Sequence, residues 1–381
     1  MIKKVGVPYW RLSGYYFLFF ATVGIYMPYW SLYLRSINFN AEQIGIISAI
    51  VVGTKIFSTY LWGWVVDHTG KRMRVIQLAS LFSAISFIAV LFVKDFWALA
   101  FIMFLFSLFW SASLPQVEAA TLTYLGDSTH DYTVIRIWGS VGFIIIVLCL
   151  GVVFESLSIS YVPLILLVSM VLVWLLTLSI SEAPAEHHDE PDESLKQILR
   201  KTKVIALLLA CFLMLASHGP YYTFYSIYLE DHGYSSSFIG QLWALGVIAE
   251  VVLFLFMHRL IKVFGLRKLF LLSLFLAGVR WLFIGFFVKS IFLLALAQLL
   301  HAATFGMCHA AAIQYVHKYF TGKLQGRGQG LYSSASFGAG FAIGSLLTGF
   351  GWDALGATTC FTIASITAFV AMVIAFIWVK D

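Results

Sequence analysis

Gly63-Trp-Val-Val-Asp67-His-Thr-Gly70-Lys71-Arg72 closes an apolar run that begins near residue 41. Before Asp67 that run carries only Glu42 and Lys55 as charges, and it is long enough to cross a bilayer, which takes roughly 17–25 helical residues. Comparable runs stand near residues 9–35, 73–93, 96–125, 132–154, 160–180, 204–230, 237–260, 267–288, 291–318, 328–351 and 356–379, twelve in all. Within lipid only helices and closed barrels satisfy the backbone, and the runs lack a strand's alternation, so they are read as helices. A shift of 195 residues pairs Tyr26, Ser31, Tyr33, Leu34, Ile44, Gly45, Gly70 and Arg72 with Tyr221, Ser226, Tyr228, Leu229, Ile239, Gly240, Gly265 and Arg267. The chain therefore reads as two parallel repeats.

Composition leads to the same class. Of 381 residues 61% are hydrophobic and 11% charged, whereas a soluble domain has about 45–50% and 25%. The 24 Lys+Arg and 18 Asp+Glu cannot cover two apolar cores. The net charge of +6 does not indicate nucleic acid, because the aromatic residues lie inside the apolar runs rather than among basic clusters. Cys149, Cys211, Cys308 and Cys360 have no metal-like spacing and read as small hydrophobes, so neither metal nor cofactor is expected. The run from about Tyr9 to Leu34 is too long for a cleaved leader and is expected to remain as the first span.

With a cytoplasmic N-terminus, 18 of the 24 basic residues fall on the cytoplasmic side. Arg35, Lys94 and Lys289 lie outside, while Lys55, Arg136 and Arg280 lie within spans. This positive-inside bias puts both termini in the cytoplasm and accounts for the high pI. The polar break Ser181 to Lys203 separates a bundle over 1–180 from one over 204–381, with 181–203 as a cytoplasmic linker. Paired six-helix repeats of this kind belong to transporters that rock two halves around a central site.

The quoted loop resembles the G-x-x-x-D-x-x-G-K/R-K/R motif of the major facilitator superfamily. Gly63 would permit close packing and Gly70 the turn, while Asp67 would form a latch to basic residues or a helix N-terminus, with Lys71 and Arg72 as anchors. The second copy, His258 to Lys268, keeps Gly265 but has Lys262 in the acid's place. Val117-Glu118-Ala119 followed by Arg136-Ile-Trp-Gly139-Ser-Val-Gly142-Phe143 looks like the lactose permease branch. That likeness implies that Glu118 and Arg136 bind substrate and that Phe143 takes the place of a sugar-stacking tryptophan. Ile248-Ala-Glu250-Val and Leu300-His301-Ala-Ala-Thr304-Phe-Gly-Met-Cys-His309 are more similar to the phenylpropionate permease subfamily. The resemblance implies an all-α membrane protein with twelve transmembrane helices in two pseudo-symmetric bundles, the major facilitator fold. It implies proton-coupled uptake of an aromatic acid by a monomer in a bacterial cytoplasmic membrane, with the proton as coupling ion and no other cofactor.

Charges inside spans are costly and mark cavities or partners. Residues equally far from a shared turn lie at one height in antiparallel helices. Glu118 and Arg136 are centred on Asp127, roughly 13 Å from that turn. Glu250 and Arg280 are centred on Gly265, and Arg280 and His301 on the Lys289-Ser290 turn. A carboxylate, a guanidinium and an imidazole at one level are the parts of a proton relay. A carboxylate's hold on its proton depends on nearby cations, so moving the arginine would load or release it. Lys55, about 21 Å into its span, is assigned to the cavity, facing a substrate carboxylate or Glu118. Tyr26, Tyr221 and Tyr222 are expected to line the cavity. His218 and His309 read as hydrogen-bonded packing, since His309 lies roughly 80° around an ideal helix from His301.

The function read from the sequence is proton symport of a small organic anion. The alternatives are a sugar or nucleoside symporter, or a drug or metabolite exporter. Residues 136–154 lack the proline of the exporter motif, and no hydrolase arrangement occurs in the spans, so an enzyme is not expected.

Overall fold

A computed structural model describes residues 7–182 and 195–380; the acidic stretch Glu186 to Glu193 of the expected linker lies outside the described residues. Twelve long helices follow one another: α1 (Tyr9–Ser36), α2 (Ala41–Thr69), α3 (Arg72–Leu91), α4 (Phe96–Leu125), α5 (Tyr132–Val153), α6 (Ile159–Thr177), α7 (Thr202–Asp231), α8 (Ser236–Phe264), α9 (Leu266–Phe286), α10 (Ile291–Tyr319), α11 (residues 325–355) and α12 (Ala357–Trp378). Eleven are long and apolar enough to cross a membrane. The other, α11, consists of Gln325–Ser333, a π-helical segment Ser334–Gly340, and Phe341–Leu355. No strand occurs among the described residues. Phe101, Leu255 and Phe376 are exposed on the helix surfaces, as suits a protein solvated by lipid tails.

The repeat extends to the turns that end the helices. Asn38 (φ 66°) and Gly233 (φ 80°), 195 residues apart, both take the left-handed conformation after α1 and α7. Gly70 (φ 61°) and Gly265 (φ 81°) likewise take a positive φ after α2 and α8. Asp95 caps α4 by accepting from Ala98 N at 2.9 Å, and its counterpart Ser290 caps α10 by accepting from Leu293 N at 3.4 Å. Packing repeats as well. In the first half α1 lies on α5 and α6, and α3 on α4 and α6; in the second α7 lies on α11 and α12, and α9 on α10 and α12.

Two compact units emerge, one of Met1–Phe39, Phe57–His188 and Ser235–Gly240, the other of Asn40–Ile56, Asp189–Tyr234 and Gln241–Asp381. They depart from the expected division at 181–203, because the start of α2 groups with the second unit and the start of α8 with the first. Missing side chains explain the exchange. A Cβ on Gly45 would stand 2.7 Å from Gly349 Cα, and one on its repeat counterpart Gly240 would stand 2.6 Å from Val147 O, so both helix starts lie backbone to backbone on another helix.

Candidate functional site

In the first unit the site grows from the spacing of small residues on α5. Gly142 lies so close to the Phe17 carbonyl of α1 that a Cβ would collide with it. At Gly139 a Cβ would stand 2.8 Å from Phe20 Cδ2 and 2.7 Å from Arg136 Nη1. The two glycines thus let α1 close on α5 and let the arginine fold over Phe20, whose ring centroid is 3.9 Å from the guanidinium carbon. Arg136 Nε lies 3.9 Å from Glu118 Oε1, an ion pair longer than a hydrogen bond, and both side chains keep about a third of their surface exposed (30% and 37%). Tyr132 donates its hydroxyl to Glu118 Oε1 at 3.2 Å. The depth argument thus brings the pair together, while the guanidinium retains donors for a further acceptor.

Phe143 packs between helices. It is buried at 7% exposure among helix contacts, and the rings beside the arginine are the half-buried Phe20, one turn before the Gly24 that packs on the Phe143 carbonyl, and the buried Tyr16, at 5.6 Å. The sequence offered no signal favouring Phe20 over the other aromatics of α1. Tyr26 stacks on Trp30 at 5.7 Å with its hydroxyl buried and without a hydrogen-bond partner among the described residues. Lys55 stands immediately after Thr54, at the interruption of α2, with an exposed side chain.

In the second unit glycines again set the approach. A Cβ on Gly306 of α10 would stand 3.0 Å from Glu250 Cγ, and one on Gly246 of α8 would stand 3.4 Å from His301 Cδ2. With α8 and α10 drawn together, Glu250 Oε2 comes to 3.6 Å from His301 Nε2, the side chains being 19% and 6% exposed. The third member of the expected set is placed differently. Arg280 is fully buried and donates from Nε to the Ala297 carbonyl at 2.8 Å and from Nη1 to Thr304 Oγ1 at 3.2 Å, with no hydrogen bond to Glu250 among the described residues. Its guanidinium carbon lies 4.1 Å from the Tyr221 ring centroid and 4.7 Å from that of Trp281. Tyr221, expected at a cavity wall, is instead 1% exposed beneath this cation and donates to Gln298 Oε1 at 2.9 Å. Tyr222 is half-buried in a ring of aromatics that the sequence reading did not select, 5.1 Å from Phe341 and 6.2 Å from Phe305.

The sequence matches the profile of the MFS_1 like family over residues 9–363. The chain belongs to the major facilitator superfamily. This major facilitator chain is 30% identical over 357 residues to the "Probable 3-phenylpropionic acid transporter" of Escherichia coli strain K12, covering 91% of this chain and 92% of that one. It is 23% identical to the "Maltose permease" of Geobacillus stearothermophilus, covering 88% and 86%. Among solved structures a point mutant of the nucleoside transporter NupG superposes with a TM-score of 0.85 at 17% identity, covering 98% of this chain and 100% of that chain. The superfamily fold, all-α with twelve transmembrane helices in two six-helix bundles, is therefore that of this protein. It is a secondary transporter, and its relatives are transporters rather than enzymes.

The superfamily's loop motif can now be placed. Gly70 makes the turn after α2, and Lys71 is exposed beside it. Gly63 does not serve close packing, since a Cβ there would meet nothing within 4 Å. Asp67 is exposed and makes no ion pair or hydrogen bond with the N-terminus of α3 among the described residues. That terminus is capped by Glu182, whose two carboxylate oxygens accept from Met73 N at 3.0 and 3.1 Å. Arg72 is half-buried with its Nε lacking a hydrogen-bond partner among the described residues.

Proposed function

We propose that this major facilitator chain is a proton symporter that imports a small aromatic acid by alternating access. The observation that carries the coupling is the Glu250–His301 pair, a carboxylate and an imidazole 3.6 Å apart and largely shielded from water inside two spans. A static ion pair there would be an expensive way to hold two helices together in lipid. A pair that shares one proton and exchanges it with either side has a use for that location.

The acid's carboxylate is assigned to Arg136, which Glu118 approaches only to 3.9 Å, with Glu118 as the group the substrate displaces. Arg136 presents a planar fork suited to bidentate carboxylate binding. The half-buried ring of Phe20 beside the guanidinium offers a face for an aromatic group. The relative described as a 3-phenylpropionic acid transporter makes that acid the first compound to try. A monomer in a bacterial cytoplasmic membrane with both termini inside completes the reading.

The test is binding to the detergent-purified protein by thermal shift, with 3-phenylpropionate, its amide, maltose and uridine as ligands, because a specific ligand stabilises the state it binds. The acid should raise the melting temperature, and its amide should do so far less. Stabilisation by uridine or maltose alone would replace the acid reading with a nucleoside or sugar one.

A further inference from the structure

Glu118 of α4 faces two side chains of α5 that stand on one side of that helix. Tyr132 and Arg136 are four residues apart, close to one helical turn, so they reach toward the carboxylate side by side. Both meet the same oxygen. Tyr132 donates to Glu118 Oε1 at 3.2 Å, while Arg136 Nε stops 3.9 Å from it. A carboxylate and a guanidinium left to themselves close to about 2.7–2.9 Å. Here the neutral donor holds the oxygen and the cation stays back.

Neighbouring contacts fix both halves of this arrangement. Gly139 leaves room for the guanidinium, which lies 3.9 Å over the Phe20 ring and is thereby drawn toward α1. Tyr132 sets its ring edge-on to Tyr16, the centroids 6.4 Å apart at 90°. The Tyr16 hydroxyl is spent elsewhere. Thr121 gives its own proton to the Val117 carbonyl at 2.7 Å, so in the 3.2 Å contact between the two hydroxyls Tyr16 donates and Thr121 accepts. That leaves Tyr132 as the hydroxyl that bonds Glu118, and among the described residues no oxygen accepts a hydrogen bond from Arg136.

We propose that Tyr132 is the positioning residue of the anion site: its hydroxyl holds Glu118 off Arg136 and so keeps the guanidinium open to the substrate's carboxylate. The proposal rests on the assignment of that carboxylate to Arg136 given above. Without the hydroxyl, Glu118 closes on the arginine, and an incoming acid must first break an ion pair that the wild type leaves open. Tyr132 therefore acts through Glu118 and not by touching the substrate. Its effect on affinity exists only while residue 118 carries a carboxylate, and this dependence separates a positioning role from a direct contact.

Tyr132→Phe keeps the ring against Tyr16 and removes only the donor. Titration calorimetry of the detergent-purified protein with 3-phenylpropionate should show binding about tenfold weaker than in the wild type, the worth of one hydrogen bond to a charged group. In a Glu118→Gln background the same substitution should cost less than about twofold, because no carboxylate remains to close on the arginine. Infrared spectra of the ligand-free protein give a second reading. The carboxylate bands that Glu118→Gln removes should shift in Tyr132→Phe, as their hydrogen bond passes from a phenol to a guanidinium. A loss of affinity as large in the Glu118→Gln background as in the wild type overturns the proposal, since Tyr132 then meets the substrate itself. Unchanged affinity in Tyr132→Phe overturns it too, as do Glu118 bands that stay in place. Wild-type affinity in Arg136→Gln sinks the acid assignment instead. If 3-phenylpropionate does not bind the wild type, the infrared comparison alone decides for or against Tyr132.

Discussion

Glu250→Gln is the perturbation that most directly separates a symporter from a facilitator. Glutamine is nearly isosteric, so the close contact with Gly306 should survive, and the variant mimics a permanently protonated acid. At 3.6 Å and an effective dielectric constant near 20, a carboxylate and an imidazolium attract by roughly 4–5 kcal/mol, which biases proton occupancy by about three powers of ten. Removing the charge removes that bias. One pH unit corresponds to about 1.4 kcal/mol, so with one proton per substrate the wild type should concentrate its substrate about tenfold per unit of gradient. Glu250→Gln should only equilibrate it, while counterflow at equal pH persists. The assay is uptake into reconstituted vesicles, with protein-free vesicles to subtract the acid's own permeation. Expression and melting temperature must be compared first, since the variant alters the surroundings of the buried Arg280. A Glu250→Gln protein that still concentrates substrate to the wild-type ratio would refute the assignment and transfer the role to Glu118.

The other predictions follow from contacts described above. Arg136→Gln should weaken binding of an aromatic acid by roughly 10- to 150-fold, the equivalent of losing a charged hydrogen bond, and its amide hardly at all; titration of both ligands checks this. Asp67→Asn should change the balance between outward- and inward-open forms by stabilising the one in which Asp67 has no ionic partner, measured by cysteine labelling from each side of the membrane. Glu182→Gln should destabilise the protein by about 0.5–2 kcal/mol through the weakened cap on α3, seen as a lower melting temperature without loss of substrate affinity. Gly63→Ala, with open space around it, should be neutral or stabilising by up to about 1 kcal/mol.

What could be read from residue order alone was whatever depends on single residues and their spacing. Hydropathy is a property of each side chain's transfer out of water, so runs of apolar residues marked the spans. A shift of 195 residues exposed the repeat because Tyr33, Gly45 and Gly70 recur as Tyr228, Gly240 and Gly265, and the structure adds the turn and cap pairs Asn38–Gly233 and Asp95–Ser290. Counting residues from shared turns set Glu118 at the height of Arg136 and put Glu250, Arg280 and His301 on one level, since a helix converts sequence distance into height, and the structure shows which of these touch. Rotation about the helix axis was not available in the same way. Height accumulates at one rate, but the π-helical segment Ala302–Met307 resets the azimuth, and so His309, expected on a neighbouring face, stacks in line with His301 and Phe305. Nor could counting tell Phe20 from Phe143, direct Arg280 to Ala297 and Thr304, or replace Asp67 by Glu182 at the start of α3. Those choices depend on which backbones lie close enough to touch. Glycines such as Gly139, Gly142, Gly246 and Gly306 set those approaches between helices, and only the packed structure supplies the partner that fills the space each one leaves.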